Sequence, residues 1–180
     1  MRFVPLLCVA LAACASGTAG STPPPASETF RVLSATGTAS ATMNASDGVM
    51  TRTVAAAPDQ VWKTLPYVLD SLGIPVNILE AGRRTIGNSG FNVRGRLKGV
   101  ALSRYIDCGG ATQMGPNADS YSVNLQFLIE VKPADAGSSI VTTMQAMAKP
   151  ITYAQDYSAC SSKGVLEAKV SELVAAKLSH

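Results

Sequence analysis

The chain has 180 residues, of which 47% are hydrophobic and 15% charged, with a formal net charge of +3 at pH 7. That length suits one domain with a substantial core. The charge is too small and too scattered to argue for nucleic acid as a partner. Beyond the first residues, no segment approaches the roughly 18 continuous apolar residues of a membrane span.

The first element is an export signal over residues 1–13. Arg2 supplies its positive start, and Phe3 to Ala13 is an apolar run too short to cross a bilayer. Removing it takes away Arg2 and lowers the charge from +3 to +2. The run ends in Leu11-Ala12-Ala13-Cys14, which resembles the lipobox of bacterial lipoproteins. The resemblance implies that Cys14 is diacylated and becomes the new first residue, making a membrane the partner of the N-terminus. Ala15, in place of an acid, implies delivery to the outer membrane, facing the periplasm. Two or three acyl chains on one residue hold stably in a bilayer. The alternative is ordinary secretory cleavage, since Ala13-Cys14-Ala15 also fits a small-x-small site.

Residues 14–48 read as a lipid anchor and a disordered linker. Ala, Ser, Gly and Thr dominate, and Pro23 to Pro25 are consecutive prolines, a composition that buries no core. Glu28 to Leu33 is a candidate short strand within it. A single domain is expected over residues 49–180. Val49 to Val54 is β-prone, and Pro58 suits the first position of a helix. Val61, Leu65, Val68, Leu69 and Leu72 follow at helical spacing, with Gly73 as the stop. Pro66 removes the bond to Trp62 and predicts a kink in one helix.

Alternation then predicts strands. Ile74, Val76 and Ile78 alternate, as do Phe91, Val93 and Leu97 against Asn92, Arg94, Arg96 and Lys98. Val100 to Ile106 is another β-prone run. Tyr121, Val123, Leu125, Phe127, Ile129 and Val131 alternate with mostly polar residues, and Pro133 to Gly137 turns the chain into a hairpin partner over Ser139 to Ala148. Ser161 or Ser162 is a candidate cap for a last helix with an apolar stripe of Leu166, Val170, Leu173 and Val174.

Of the 4 cysteines, Cys8 leaves with the signal and Cys14 carries lipid. In an oxidising compartment Cys108 and Cys160 are best read as one disulfide. The alternative is a pair of buried free thiols. No Cys-x-x-Cys spacing supports a redox role.

The stretch Thr53-Val-Ala-Ala-Ala-Pro-Asp-Gln-Val-Trp62-Lys-Thr-Leu65 is similar to the opening of START-like, or helix-grip, domains, where a first strand runs into a Pro-initiated helix bearing a Val-Trp pair. The resemblance implies an α+β fold in which an antiparallel curled β-sheet packs on a C-terminal helix. In that superfamily the sheet leaves a cavity for lipids or other apolar small molecules. Such domains also serve protein contacts in a lipoprotein of the outer-membrane barrel-assembly machinery. Fold alone does not assign function.

Catalytic residue types are sparse. The single histidine is the terminal His180, which argues against Ser-His-Asp catalysis and His-ligated metals. The carboxylates show no pairing motif, and Gly95-x-x-x-Gly99 lacks the context of a phosphate loop. No catalytic residue, metal or cofactor is therefore expected, and the chain reads as a non-enzyme. Arg94, Arg96 and Lys98, expected on one strand face, are candidate contacts for an anion or a partner, or simply a solvated face. The loop from Cys108 to Asp119 and the segment Ile151 to Tyr157, with Tyr153 and Tyr157, are candidates for a disulfide-pinned rim. The expected function is a structural or assembly role in the cell envelope through protein contacts. The alternative is a carrier with an internal pocket lined by Val123, Leu125, Phe127 and the final helix.

Overall fold

The computed structural model describes residues 27–34, 37–44 and 48–179. The expected signal and the lipidation site Cys14 lie outside them. The expected linker contains a hairpin: β1 (Ser27–Ser34) pairs antiparallel with β2 (Gly37–Asn44), in a two-stranded sheet of its own. β-prone Thr29, Phe30 and Val32 outweigh the small-residue composition there.

The domain opens with β3 (Val49–Val54) and α1 (Pro58–Leu72). Pro58 begins the helix as expected, and the Ala57 N–H donates to the Gln60 side chain at 3.3 Å. Ala57 has no side-chain acceptor, so only this half of a capping box exists. Pro66 sits within one uninterrupted helix. Gly73 ends it at φ 73°, its N–H donating to the Asp70 carbonyl, while the Ile74 N–H donates to the Leu69 carbonyl. This is a Schellman ending, with buried Ile74 as its hydrophobic contact.

β4 (Ile78–Glu80) and β5 (Thr85–Arg94) follow. The strand expected from Ile74 is shorter than its alternation, because Asn77 and Pro75 instead pin a bulge in β5. The Asn88 side chain accepts from the Gly90 N–H at 2.8 Å and donates to the Pro75 carbonyl at 2.7 Å. The Asn77 side-chain oxygen accepts from the Ser89 N–H at 2.9 Å. The bulge places Ser89 and Gly90 opposite Gln126 alone.

β5 ends at Arg94. Gly95 (φ 65°) turns the chain into β6 (Arg96–Leu97), which pairs with β7 (Val100–Ala101) across Lys98 (φ 48°) and Gly99 (φ 85°). Two consecutive positive φ values are the signature of a tight hairpin turn. The expectation of one strand face carrying Arg94, Arg96 and Lys98 is therefore corrected: alternation runs through Gly95, but the backbone does not. The β-prone run to Ile106 is likewise broken, by a 3₁₀ turn at Leu102–Arg104 before β8 (Ile106–Asp107). Short β9 (Ala111–Thr112), β10 (Gly115–Pro116) and α2 (Asn117–Ser120) lead to the central hairpin.

That hairpin joins β11 (Ser122–Ala134) to β12 (Gly137–Lys149), in register from Ser122 opposite Lys149 to Ala134 opposite Gly137. β13 (Ser158–Ser162) and α3 (Val165–Leu178) complete the chain. Ser161 and Ser162 do not cap α3. Gly164, at φ 71°, holds the N-cap position, and the Ser162 hydroxyl accepts from its N–H at 2.9 Å.

The product is the expected α+β fold: a seven-stranded antiparallel sheet, not closed, packed on the C-terminal helix. Its order is β4-β5-β11-β12-β13-β8, with β3 on the other half of the β12 edge. Val123, Leu125, Phe127, Ile129 and Val131 are buried on the inner face, as their alternation predicts. They share one core with Val61, Leu65, Val68 and Leu69 of α1 and Leu166, Val170 and Val174 of α3.

Candidate functional site

Residues one step out of phase with that core point to the opposite face. The pairings Ser122 with Arg94 and Ser122 with Lys149 place Arg94, Ser122 and Lys149 in one row across β5, β11 and β12. Their neighbours Val93, Val123 and Ala148 face the core. Arg94 and Lys149 thus project from the outer face at one end of the sheet.

The segment from Pro150 to Asp156 folds beside this row and encloses an open cleft of about 770 Å³, lined also by Arg94, Ser122 and Lys149. Ile151 and Tyr153 on this segment are 51% and 56% exposed. The Tyr153 hydroxyl meets that of Tyr121 at 3.2 Å, and the Lys149 ammonium lies 4.8 Å from the centre of the Tyr157 ring. The hydrogen bond to Tyr153 holds the Tyr121 phenol above its ordinary pKa of 10.0. Among the described residues neither Arg94 nor Lys149 forms an ion pair.

A disulfide joins Cys108 to Cys160, as expected, with Cα atoms 4.1 Å apart. It secures the segment shortly after Tyr157, where β13 begins. The Cys108 to Asp119 loop reaches the cleft indirectly, through Tyr121 just beyond α2. Its Asp119 side chain turns inward, toward the turn at Ser103. The Asp119 carboxylate accepts from the Ser103 N–H at 2.8 Å and the Ser103 hydroxyl at 2.6 Å, and the Asp107 carboxylate accepts from the Gly109 N–H. The Lys163 ammonium donates to the Ser103 carbonyl at 2.7 Å. These bonds tie the loop to Ser103, and Ser103 to the start of α3, while Met114 at its tip is exposed.

Arg96 and Lys98 lie elsewhere, lining a second cleft of about 540 Å³ beside the end of α1. Arg96 donates to the Gly99 carbonyl at 2.8 Å. Lys98 packs its side-chain carbons over Gly73, at the end of α1. Of the expected cationic stripe, only Arg94 belongs to the main cleft. Lys149, Ser122 and Tyr121 escaped sequence reasoning. Extending the hairpin register from its turn to its far end would have set Ser122 opposite Lys149.

Among the described residues, no three His, Cys, Asp or Glu side chains gather as metal ligands. His180 lies outside those residues. One buried carboxyl stands apart from the cleft. Glu167 of α3 is 1% exposed; one oxygen accepts from the Ser162 hydroxyl, and the other has no partner. Burial raises its pKa, with the Ser162 bond opposing.

The chain matches no protein-family model and no curated protein.

Proposed function

We propose that this chain is a cell-envelope lipoprotein, anchored through Cys14, that has no enzymatic role and works by contacting another protein. The lipobox resemblance supports the anchor, and an outer-membrane position facing the periplasm follows from Ala15. The single observation that carries the contact role is the location of open space. The inner sheet face, where a helix-grip carrier would hold its ligand, is filled: Val123, Leu125, Phe127, Val170 and Val174 are all at most 1% exposed in one core. Among the described residues, a cleft of about 770 Å³ lies on the opposite face, rimmed by exposed Ile151 and Tyr153. Exposed apolar and aromatic side chains beside a charged cleft are the composition of protein interfaces.

The reading is tested by placing a photo-crosslinking amino acid at Tyr153 in the producing bacterium, with Lys132 on the far hairpin end as control. One discrete adduct at position 153, absent at 132, is expected. A stoichiometric apolar molecule on the extracted chain, with no adduct, would replace this reading by the carrier.

A further inference from the structure

We infer that the cleft between Arg94, Lys149 and the Pro150 to Asp156 segment is a carboxylate site, occupied by an acidic side chain from an extended segment of a partner protein. The inference rests on the protein-contact reading and names the chemistry of that contact.

Several cations in other parts of the fold have partners within it. Arg83 and Arg84 pair with Glu80 and Asp59, Lys132 pairs with Glu130, and Lys163 and Arg96 donate to backbone carbonyls. Arg94 and Lys149 have no acidic partner among the described residues, yet strand pairing aims both into one concave space. Lys149 is held in place by the Tyr157 ring, which lowers the entropy lost when it meets an anion. Two further donors face the same region. The Ser122 hydroxyl lies between the cations, and the Tyr121–Tyr153 pair uses one of its two hydroxyl protons internally, leaving one to donate.

The charge balance selects the anion. Arg94 and Lys149 stand against Asp156, leaving one net positive charge in the lining. That matches one carboxylate better than a phosphate, which carries close to two charges at neutral pH. Arg94 offers the planar fork that a carboxylate fills with two parallel bonds. Protein, as the source, is favoured by Ile151 and Tyr153, which line the cleft half-exposed and offer apolar surface to residues flanking a bound acid.

The test is an NMR titration of the full chain, following the Arg94 side-chain N–H and the amides of residues 151–156. The probes are N-acetyl-Leu-Glu-Leu-amide, its Gln counterpart, inorganic phosphate and anionic phospholipid vesicles. Saturable shifts confined to the cleft are expected with the Glu peptide, at millimolar affinity, and none with the Gln peptide. Arg94→Gln and Lys149→Gln should each weaken binding about tenfold while leaving the rest of the spectrum unchanged. Equal response to both peptides, no response, or preference for phosphate or vesicles would overturn the inference. A crosslink at Tyr153 without a Glu-peptide response leaves the protein-contact reading standing and removes only the carboxylate. Loss of both removes both.

Discussion

Tyr121 and Tyr153 meet hydroxyl to hydroxyl at 3.2 Å, joining the start of the central hairpin to the loop that follows it. Tyr153 is otherwise exposed on that loop, so this bond and the Cys108–Cys160 disulfide together hold the cleft wall. Tyr121→Phe should speed hydrogen exchange of the amides in residues 151–156 and leave the unfolding midpoint unchanged. The bond also carries a pH sign. The folded Tyr121 pKa lies above the ordinary 10.0. Its contribution is therefore complete below pH 10 and is lost as pH rises through the folded value. Loop protection measured between pH 7 and 11 should fall only at the alkaline end.

The Cys108–Cys160 bond closes a separation of 52 residues. In the chain-entropy model a loop of that size stabilises the native state by about 4 kcal/mol. Replacing both cysteines by serine should lower the urea midpoint accordingly. Reduction of the native chain should produce the same loss, with the 151–156 amides the first to lose protection.

Phe127 is fully buried where the inner sheet face meets the helices. Phe127→Ala should cost about 3–5 kcal/mol, because the transfer loss is joined by the cost of an unfilled cavity. The resulting apolar void should take up benzene or xenon, which the native chain should not. Uptake by the native chain would show that the interior is not filled.

Glu167 places a carboxyl in the core with one oxygen unpartnered. Its folded pKa is raised above 4.5, mainly by burial. An unfolded chain releases that proton first, so this group favours the folded state most below pH 4.5. Its contribution declines as pH rises through the folded value and is then level. Glu167→Gln keeps an acceptor for Ser162 and removes the charge whose burial is unfavourable. Stability at pH 7 should rise by about 1 kcal/mol. The decline in stability as pH rises above 4.5 should flatten in urea titrations.

Local pattern was sufficient for most of the scaffold. Alternation in β11 told inside from outside because side chains in a strand switch faces with every residue. The stripe from Val61 to Leu72 marked the buried side of α1, and Pro58 and Gly73 marked its ends. The disulfide followed from the cysteine count and the expectation of export to an oxidising compartment. Pattern failed where backbone geometry interrupted it. Gly95 broke the line from Arg94 to Arg96, and a glycine, not a serine, took the N-cap of α3.

By itself the sequence determined an α+β domain, its buried and exposed faces, its covalent staple and the expectation of an N-terminal lipid. Tertiary structure alone decided that Arg94 joins Ser122 and Lys149 in one row, and that Tyr121 reaches Tyr153. Those neighbours come from three strands and a loop, and their adjacency depends on pairing register between distant segments. Tertiary structure also decided that the inner face is filled, because a sheet and two helices close over a core or leave a cavity according to how their side chains meet, which no single element encodes.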